Sequence, residues 1–390
     1  MKFNNYFLSS LIAGSALLSS SFLTSCGSDD NPQPDPTPVV DSKNIDYSSE
    51  NADSWHNYSV KVAELLARDS QDLYDSWNKA YEGGASYSSI FKTASAPYTS
   101  YLNCIEEILD GCSDIANEVG EAKIGDPYDL FTAGRREEAL YAVESWYSWH
   151  SRDDYSNNIL SIRNSYLGSL DGTENEASMA ALVKSENPQL DSDTRSAITA
   201  AYDAILAIPQ PFRNNINCQE ARTAMEACAD LDNLLTKRLK PFFQNLDTSF
   251  DSELEKIVEN YTDRVVLPTY QTLCERNNAL LKAVKDLSSS RTDENFRKAA
   301  NAWLLAREPW EKSEAFLFGP VDALGLDPNM DSWPLDQDAI VNHLKSGNFS
   351  DLEWGNGDDD SKVEAAQNIR GFHTLEFLLF KDGEPRKIEK

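Results

Sequence analysis

Apolar residues recur along this chain at the three- and four-residue spacing of amphipathic helices. Val62, Leu65, Leu66, Leu73 and Trp77 share one helical face, and Gly83-Gly84 supplies a stop after them. Similar stripes run through about 97–118, 135–168, 190–208, 217–245, 250–286, 293–317 and 362–380. Alternating Val/Ile/Thr runs closed by hairpin turns are missing, so strands are expected to be minor at most. Long helices joined by polar loops predict an all-α fold of helix bundles. Gly83-Gly84 with the Ser-rich stretch after it, and the polar patch near 246–252, are candidate boundaries. No phosphate-binding loop, dinucleotide fingerprint or nucleophile elbow is present.

The N-terminus departs from this pattern. Residues 1–25 have the layout of a secretory signal: Lys2 as the one charge, an apolar stretch from Tyr6 to Leu18, then Leu23-Thr24-Ser25-Cys26. That last tetrad resembles a bacterial lipobox, in which the Cys26 thiol carries the lipid and starts the mature chain. An uncleaved membrane anchor is the competing reading, but Ser and Thr are dense from Ser9 to Ser25, which makes a poor span. Residues 26–44 read as a tether. Pro32, Pro34, Pro36 and Pro38 at every second position favour extended polyproline II. Asp29 and Asp30 resemble a signal for display on the outer cell surface, so the expected location is the outer membrane, its outer face ahead of its periplasmic one.

Charge and cysteines narrow the partners. The formal net charge is −29. Such a chain repels nucleic acid and anionic membrane and favours cations, metal ions among them. Besides Cys26, Cys104, Cys112, Cys218, Cys228 and Cys274 lack the spacing of a zinc knuckle or redox pair, and read as small buried residues.

Three segments carry candidate chemistry. Gly371-Phe-His-Thr-Leu-Glu-Phe-Leu-Leu-Phe380 is apolar nearly all round and should be a buried helix. His373 and Glu376, at i and i+3, share one face, and burial obliges both to find partners. Gly371 in a helix points to close approach of another backbone or a ligand. The second segment opens at Thr292-Asp293 and carries Trp303, Arg307, Trp310 and Glu314 on one face, with Pro309 predicting a kink. The third, Glu144 to Asn158, places Ser151, Asp154 and Asn158 in one stripe with Ser148 a turn earlier. Each segment also has a plain structural reading, as a satisfied core pair, a core helix and a solvated face. His150 lies within reach of Asp153 and Asp154; His56 and His343 read as surface residues.

Together the segments resemble the imelysin-like family. Gly371-x-His373-x-x-Glu376 with its apolar tail is similar to that family's signature, and Ala306 to Glu314, Phe318-Gly319-Pro320 and Trp333-Pro334 are similar to its upstream block. The stretch from Glu144 to Gly168 and Lys123-Ile-Gly-Asp-Pro127 resemble blocks of its other half. The order differs from the usual one, because the Gly-x-His-x-x-Glu helix comes last. A circular permutation accounts for this, with one bundle from 45–85 plus 246–390 and a second, similar four-helix bundle from 86–245.

The resemblance implies two functions. One is metallopeptidase activity. The other is a part in iron acquisition, through a site between two bundles that takes a metal ion or an iron chelate, with a transporter as a possible partner. A zinc peptidase needs three protein ligands, an open position and a base. His373 and Glu376 supply two ligands at most, so zinc is the weaker expectation. Iron accepts imidazole, carboxylate and hydroxyl donors. His373 and Glu376 are the expected metal ligands, joined at the site by Asp154 and Ser148. Arg307, Glu314, Ser151, Asn158, Trp303 and Gly371 are expected around them. A third reading is a surface lipoprotein that captures glycan or protein, in which Trp146, Trp149, Trp303 and Trp310 would form an exposed stacking row.

Overall fold

The computed structural model describes residues 45–355 and 357–388. The signal segment, Cys26 and the Pro-rich tether lie outside the described residues. The framework helices are α1 (Ala52–Asn78), α2 (Tyr101–Glu118), α3 (Ser151–Leu167), α4 (Pro188–Leu206), α5 (Gln219–Leu234), α6 (Asp251–Tyr261), α7 (Leu267–Ser289), α8 (Asp293–Glu311), α9 (Leu326–Asp331) and α10 (Gly371–Leu379). Side-chain caps set several of their starts. Ser100 Oγ accepts from the Asn103 amide at 3.2 Å, and Thr292 Oγ1 accepts from the Asn295 amide at 3.2 Å. Asn187 caps α4, with Pro188 in the first-turn position where its missing N–H costs nothing. None of the described helices is long and apolar enough to cross a membrane.

The helices pack in two groups. α1 lies against α7, α7 against α8, and α10 against both α1 and α8. In the other group α4 lies against α5 and α3, and α2 against α5 and α3. The groups meet where α8 crosses α3 and where α6 reaches α2. A continuous buried core runs through both, and the described residues fall within one compact unit.

α10 is the most buried element. Every residue of it is buried, as its apolar pattern predicts. A buried helix end leaves carbonyls that water cannot reach, and here all four are paired. Glu376 O accepts from the Phe380 amide. Phe377 O accepts from Arg386 Nε at 2.9 Å, Leu378 O from Trp55 Nε1 at 2.9 Å, and Leu379 O from the Arg386 amide at 2.9 Å. Arg386 reaches back because a two-residue hairpin, β1 (Phe380–Lys381) and β2 (Glu384–Pro385), reverses the chain through Asp382-Gly383, both at positive φ. Trp303 Nε1 holds the other end at Phe372 O, 2.8 Å away.

Three predicted helices are broken. The stripe over 135–168 becomes a short helix at Arg136–Ala142, a loop at 143–150, and α3. Ser148 therefore sits in a turn and does not continue the face of Ser151. The stripe over 293–317 ends at Glu311, two residues past Pro309, so Glu314 leaves the face of Arg307 and enters a 3₁₀ turn, Glu314–Phe316. The stripe over 362–380 breaks before Gly371, whose φ is +82°. His56 is buried against Tyr47 and Phe296, not on the surface as expected; its ring packs edge-on and its Nε2 lies 3.2 Å from Tyr47 Oη.

Gly371 meets another backbone, as its place in an apolar helix suggested. A Cβ there would stand 2.3 Å from the Met330 carbonyl oxygen. Gly371→Ala combines that overlap with a left-handed φ and should cost roughly 2–4 kcal/mol in urea unfolding. Gly83→Ala, at a similar φ of +74° with no atom within 4 Å, should cost only about 1 kcal/mol.

Candidate functional site

The site forms where α10, α8, α9 and the 143–150 loop converge. The loop is held in an unusual shape. Ser145 and Trp149 have φ of 53° and 61°, a conformation that non-glycine residues keep only when their surroundings impose it. Ser145 Oγ donates to Asp154 Oδ2 at 2.5 Å, and Ser151 Oγ donates to the Glu144 carbonyl at 2.5 Å. These bonds from the first turn of α3 fix Glu144 and Ser148 in place.

His373 lies between two sets of carboxylates. Its Nδ1 faces Glu376 Oε2 at 3.0 Å. The other Glu376 oxygen accepts from the Ser148 amide at 2.8 Å and from Ser148 Oγ at 2.7 Å. Its Nε2 lies 3.1 Å from Glu144 Oε1 and 3.2 Å from Asp331 Oδ1. Burial and the Arg307 charge push the imidazole toward the neutral form, but Asp331 and Glu144 outweigh them and hold its pKa well above the usual value. Trp333 stands edge-on to the ring, with centroids 4.8 Å apart.

Arg307 is fully buried and gathers the remaining acids. Nη2 donates to Glu144 Oε1 at 2.8 Å and pairs with Glu311 Oε1 at 2.6 Å; Nε reaches Asp154 Oδ2 at 3.3 Å, and Nη1 bonds Asp331. Asn158 Nδ2 donates to Glu311 Oε2 at 2.6 Å and Trp310 Nε1 to Asp331 Oδ2 at 2.6 Å. Burial raises Glu144, but Lys123, His373 and Arg307 carry it well below the usual carboxylate range. Glu311 and Glu314 go the other way, held well above that range by burial.

A pocket of about 450 Å³ opens on this network, lined by Lys123, Glu144, Glu314, Asp327, Asp331 and Trp333, among others. Lys123 enters from a π-helical turn, Val119–Gly125, that follows α2. Such a turn re-aims side chains and is frequent at functional sites. Lys123 Nζ lies 3.0 Å from Glu144 Oε2.

The expected residues separate into three places. His373 faces the pocket network. Glu376 and Ser148, expected as ligands, lie behind the ring, where they hold Nδ1 and leave Nε2 aimed at Glu144 and Asp331. Asp154 and Asn158 are buried beside Arg307 and Glu311, not on a solvated face. Ser151 braces the loop, Trp303 braces α10, and Gly371 gives clearance to Met330. The metal-competent group among the described residues that contains His373 is Glu144, Asp331 and His373, whose donor atoms lie within 4.8 Å of one another. Glu144 and Asp331 were not singled out as ligands in the sequence. Glu144 begins the Glu144–Asn158 stretch and Asp331 stands two residues before Trp333-Pro334, so proximity to family-like blocks was the available signal.

Asp327 gives the site a measurable pH signature. Burial, then Asp331 and Glu118, push its carboxyl up to about 7 from 3.8. A raised acid contributes its full stability below the unfolded value and loses it as pH rises through the folded one. Asp327→Asn should therefore stabilise the chain at pH 8 by about 1–2 kcal/mol, discounted for a side chain partly open to the pocket. The gain should vanish below about pH 4 in melting curves.

Comparison with known proteins agrees with this architecture. The imelysin family model matches residues 32–238 and 266–390. The crystal structure of an imelysin peptidase from Bacteroides ovatus aligns with a TM-score of 0.88 at 58% identity, covering 89% of this chain and 99% of that one. Iron-regulated protein A of Synechococcus elongatus is 29% identical over 170 residues, 44% of this chain. The match spans 39% of that relative's length. With most of its sequence matched by the family model, the chain belongs to the imelysin family.

Proposed function

We propose that this chain captures a hard metal cation, iron foremost, or a small iron chelate, at the pocket face of His373. One observation carries the reading: His373 Nε2 meets Glu144 and Asp331, two carboxylates that line an acidic pocket, while Glu376 fixes the far side of the ring. One imidazole nitrogen and two carboxylates form a donor set that suits iron, and the Ser148–Glu376–His373 chain is the outer support that metal-binding imidazoles usually have. Bound there, the ion would take the place now held by the Nε2 proton, so loading should release a proton. The Synechococcus relative, iron-regulated protein A, supports a link to iron by its name.

The tryptophans favour this reading over glycan capture. Trp146, Trp303 and Trp310 are buried and Trp149 is half-buried, so the four offer no exposed stacking row. A peptidase reading comes with the description of the Bacteroides ovatus neighbour. It would give the base role to the signature's own acid, and Glu376 is committed to Ser148 and His373.

Lipidation at Cys26, placement at the outer membrane with its outer face preferred, and handover to a transporter remain part of the proposal. So does the circular permutation. α1 packs against α10, and a sequence match confined to 44% of the chain is what a rearranged order would produce in a relative.

His373→Ala should abolish ferrous and ferric iron binding in calorimetric titration, with the helical circular dichroism retained. Ser148→Ala should weaken binding by roughly 10–100-fold, the usual cost of losing an outer-shell partner. Variants that bind iron like the parent would overturn the site. Casein incubated with the purified chain and zinc should stay intact; cleavage that a chelator stops and His373→Ala loses would establish the peptidase instead.

A further inference from the structure

Asp331 belongs to a second convergent group. Its carboxylate, with those of Glu311 and Glu314, offers donor atoms that also lie within 4.8 Å of one another. This group contains no histidine and borders the same pocket through Glu314 and Asp331. We propose a second cation position at Glu311, Glu314 and Asp331, adjoining the His373 position and sharing Asp331 with it. The proposal rests on the reading of the His373 position given above and extends it from one ion to two.

Glu314 is the observation that points to a ligand. Only 7% of it is exposed, yet among the described residues its carboxylate makes no hydrogen bond and no ion pair. Its carboxylate borders the pocket with no protein cation bonded to it, so a cation arriving there would gain a charge partner. The neighbouring cations are engaged elsewhere. Lys123 Nζ is 3.0 Å from Glu144 and 3.7 Å from Glu118. Arg307 pairs with Glu144, Asp154, Glu311 and Asp331, but not with Glu314. A cation entering from the pocket would supply the missing partner.

The backbone that carries Glu314 is held on several sides. α8 ends at Glu311, and the 3₁₀ turn Glu314–Phe316 brings Glu314 back beside it. Ser313 Oγ donates to the Trp310 carbonyl at 2.6 Å. The Ala315 amide donates to Ser161 Oγ on α3 at 3.1 Å, and Tyr270 Oη on α7 donates to the Phe316 carbonyl at 2.8 Å. On the fourth side α2 comes so close that a Cβ on Gly111 would stand 2.3 Å from the Ala315 carbonyl oxygen. A surface acid would need none of this, whereas a ligand carboxylate gains from a fixed position.

The chemistry of the two positions differs. Glu144, Asp331 and His373 mix nitrogen with oxygen. Glu311, Glu314 and Asp331 give oxygen alone, which suits hard ions such as manganous, ferrous, ferric or magnesium. A carboxylate shared by two ions is the arrangement of two-metal sites.

The test is stoichiometry on the purified chain, titrated anaerobically with ferrous iron and separately with manganous ion, followed by calorimetry and, for manganese, by electron paramagnetic resonance. The wild-type chain should take up two ions and show an exchange-coupled manganese signal. Glu314→Gln, which keeps the volume of the side chain, should take up one, lose the coupled signal, and bind the remaining ion within about threefold of the parent, under half a unit of log K. Ser161→Ala should weaken the second ion while leaving the first. One ion in both the wild-type and Glu314→Gln chains would overturn the second position and leave the His373 position standing. No ion in the wild-type chain would remove both. Loss of every ion in a Glu314→Gln chain that still melts cooperatively would also overturn the proposal, by assigning Glu314 to a single site.

Discussion

The arrangement depends on burying one guanidinium. Arg307 has lost all contact with water, and the desolvation of such a cation is offset only if its donors are matched closely. The match comes from four separate segments: Glu144 from the strained loop, Asp154 from α3, Glu311 one turn along α8 itself, and Asp331 at the end of α9. Arg307 therefore fixes where α8 of one helix group sits against α3 of the other. Its planar fork explains why a lysine would not serve, since a single ammonium cannot address four carboxylates in different directions. Removing the guanidinium would leave several buried acids uncompensated, a loss on the order of 3–5 kcal/mol for even one such pair.

That constraint also accounts for α10. A helix this apolar can be fully buried only if its charged side chains and end carbonyls find partners inside the protein. His373 and Glu376 do so by joining the Arg307 network, and the helix's last carbonyls do so through Trp55, Arg386 and Phe380. The same network produces the acidity of the pocket. Glu314 and Asp327 add to carboxylates that Arg307, Lys123 and His373 already have to balance, and the excess acid is where a cation would gain most.

The helical fold was legible because its signal is periodic and local. Val62 to Trp77 shows its buried face in five residues, and the core of α1 contains them all. The breaks were less legible. Residues 143–150 keep a helical polarity pattern, but their conformation is set by bonds from Asp154, Ser151 and Gly383, the last through its amide to the Tyr147 carbonyl at 2.9 Å. Those partners lie up to 236 positions away, so a reading of adjacent residues could not supply them. The site followed the same division. His373, Glu376, Asp154 and Arg307 stood out because polar groups in apolar segments need an explanation. Asp331 and Glu144 did not, because a lone acid shows no spacing to a partner until the fold buries it beside an arginine.

The correction to the His–Glu pair is more general. On a helix, residues at i and i+3 face the same way, which invites their reading as two ligands for one ion. The carboxylate of Glu376 reaches only the near nitrogen, Nδ1, and once it does so the ring is fixed with Nε2 pointing away from it. The i, i+3 spacing thus encodes the direction of the histidine, and the partners of Nε2 must come from other segments. Glycine at 371 belongs to the same device. It lets the start of α10 press against Met330, one residue before Asp331, and so sets the distance at which the ring meets that carboxylate. The signature Gly-x-His-x-x-Glu reads physically as one approach, one aimed nitrogen and one brace, and the aimed nitrogen meets the carboxylates of Glu144 and Asp331.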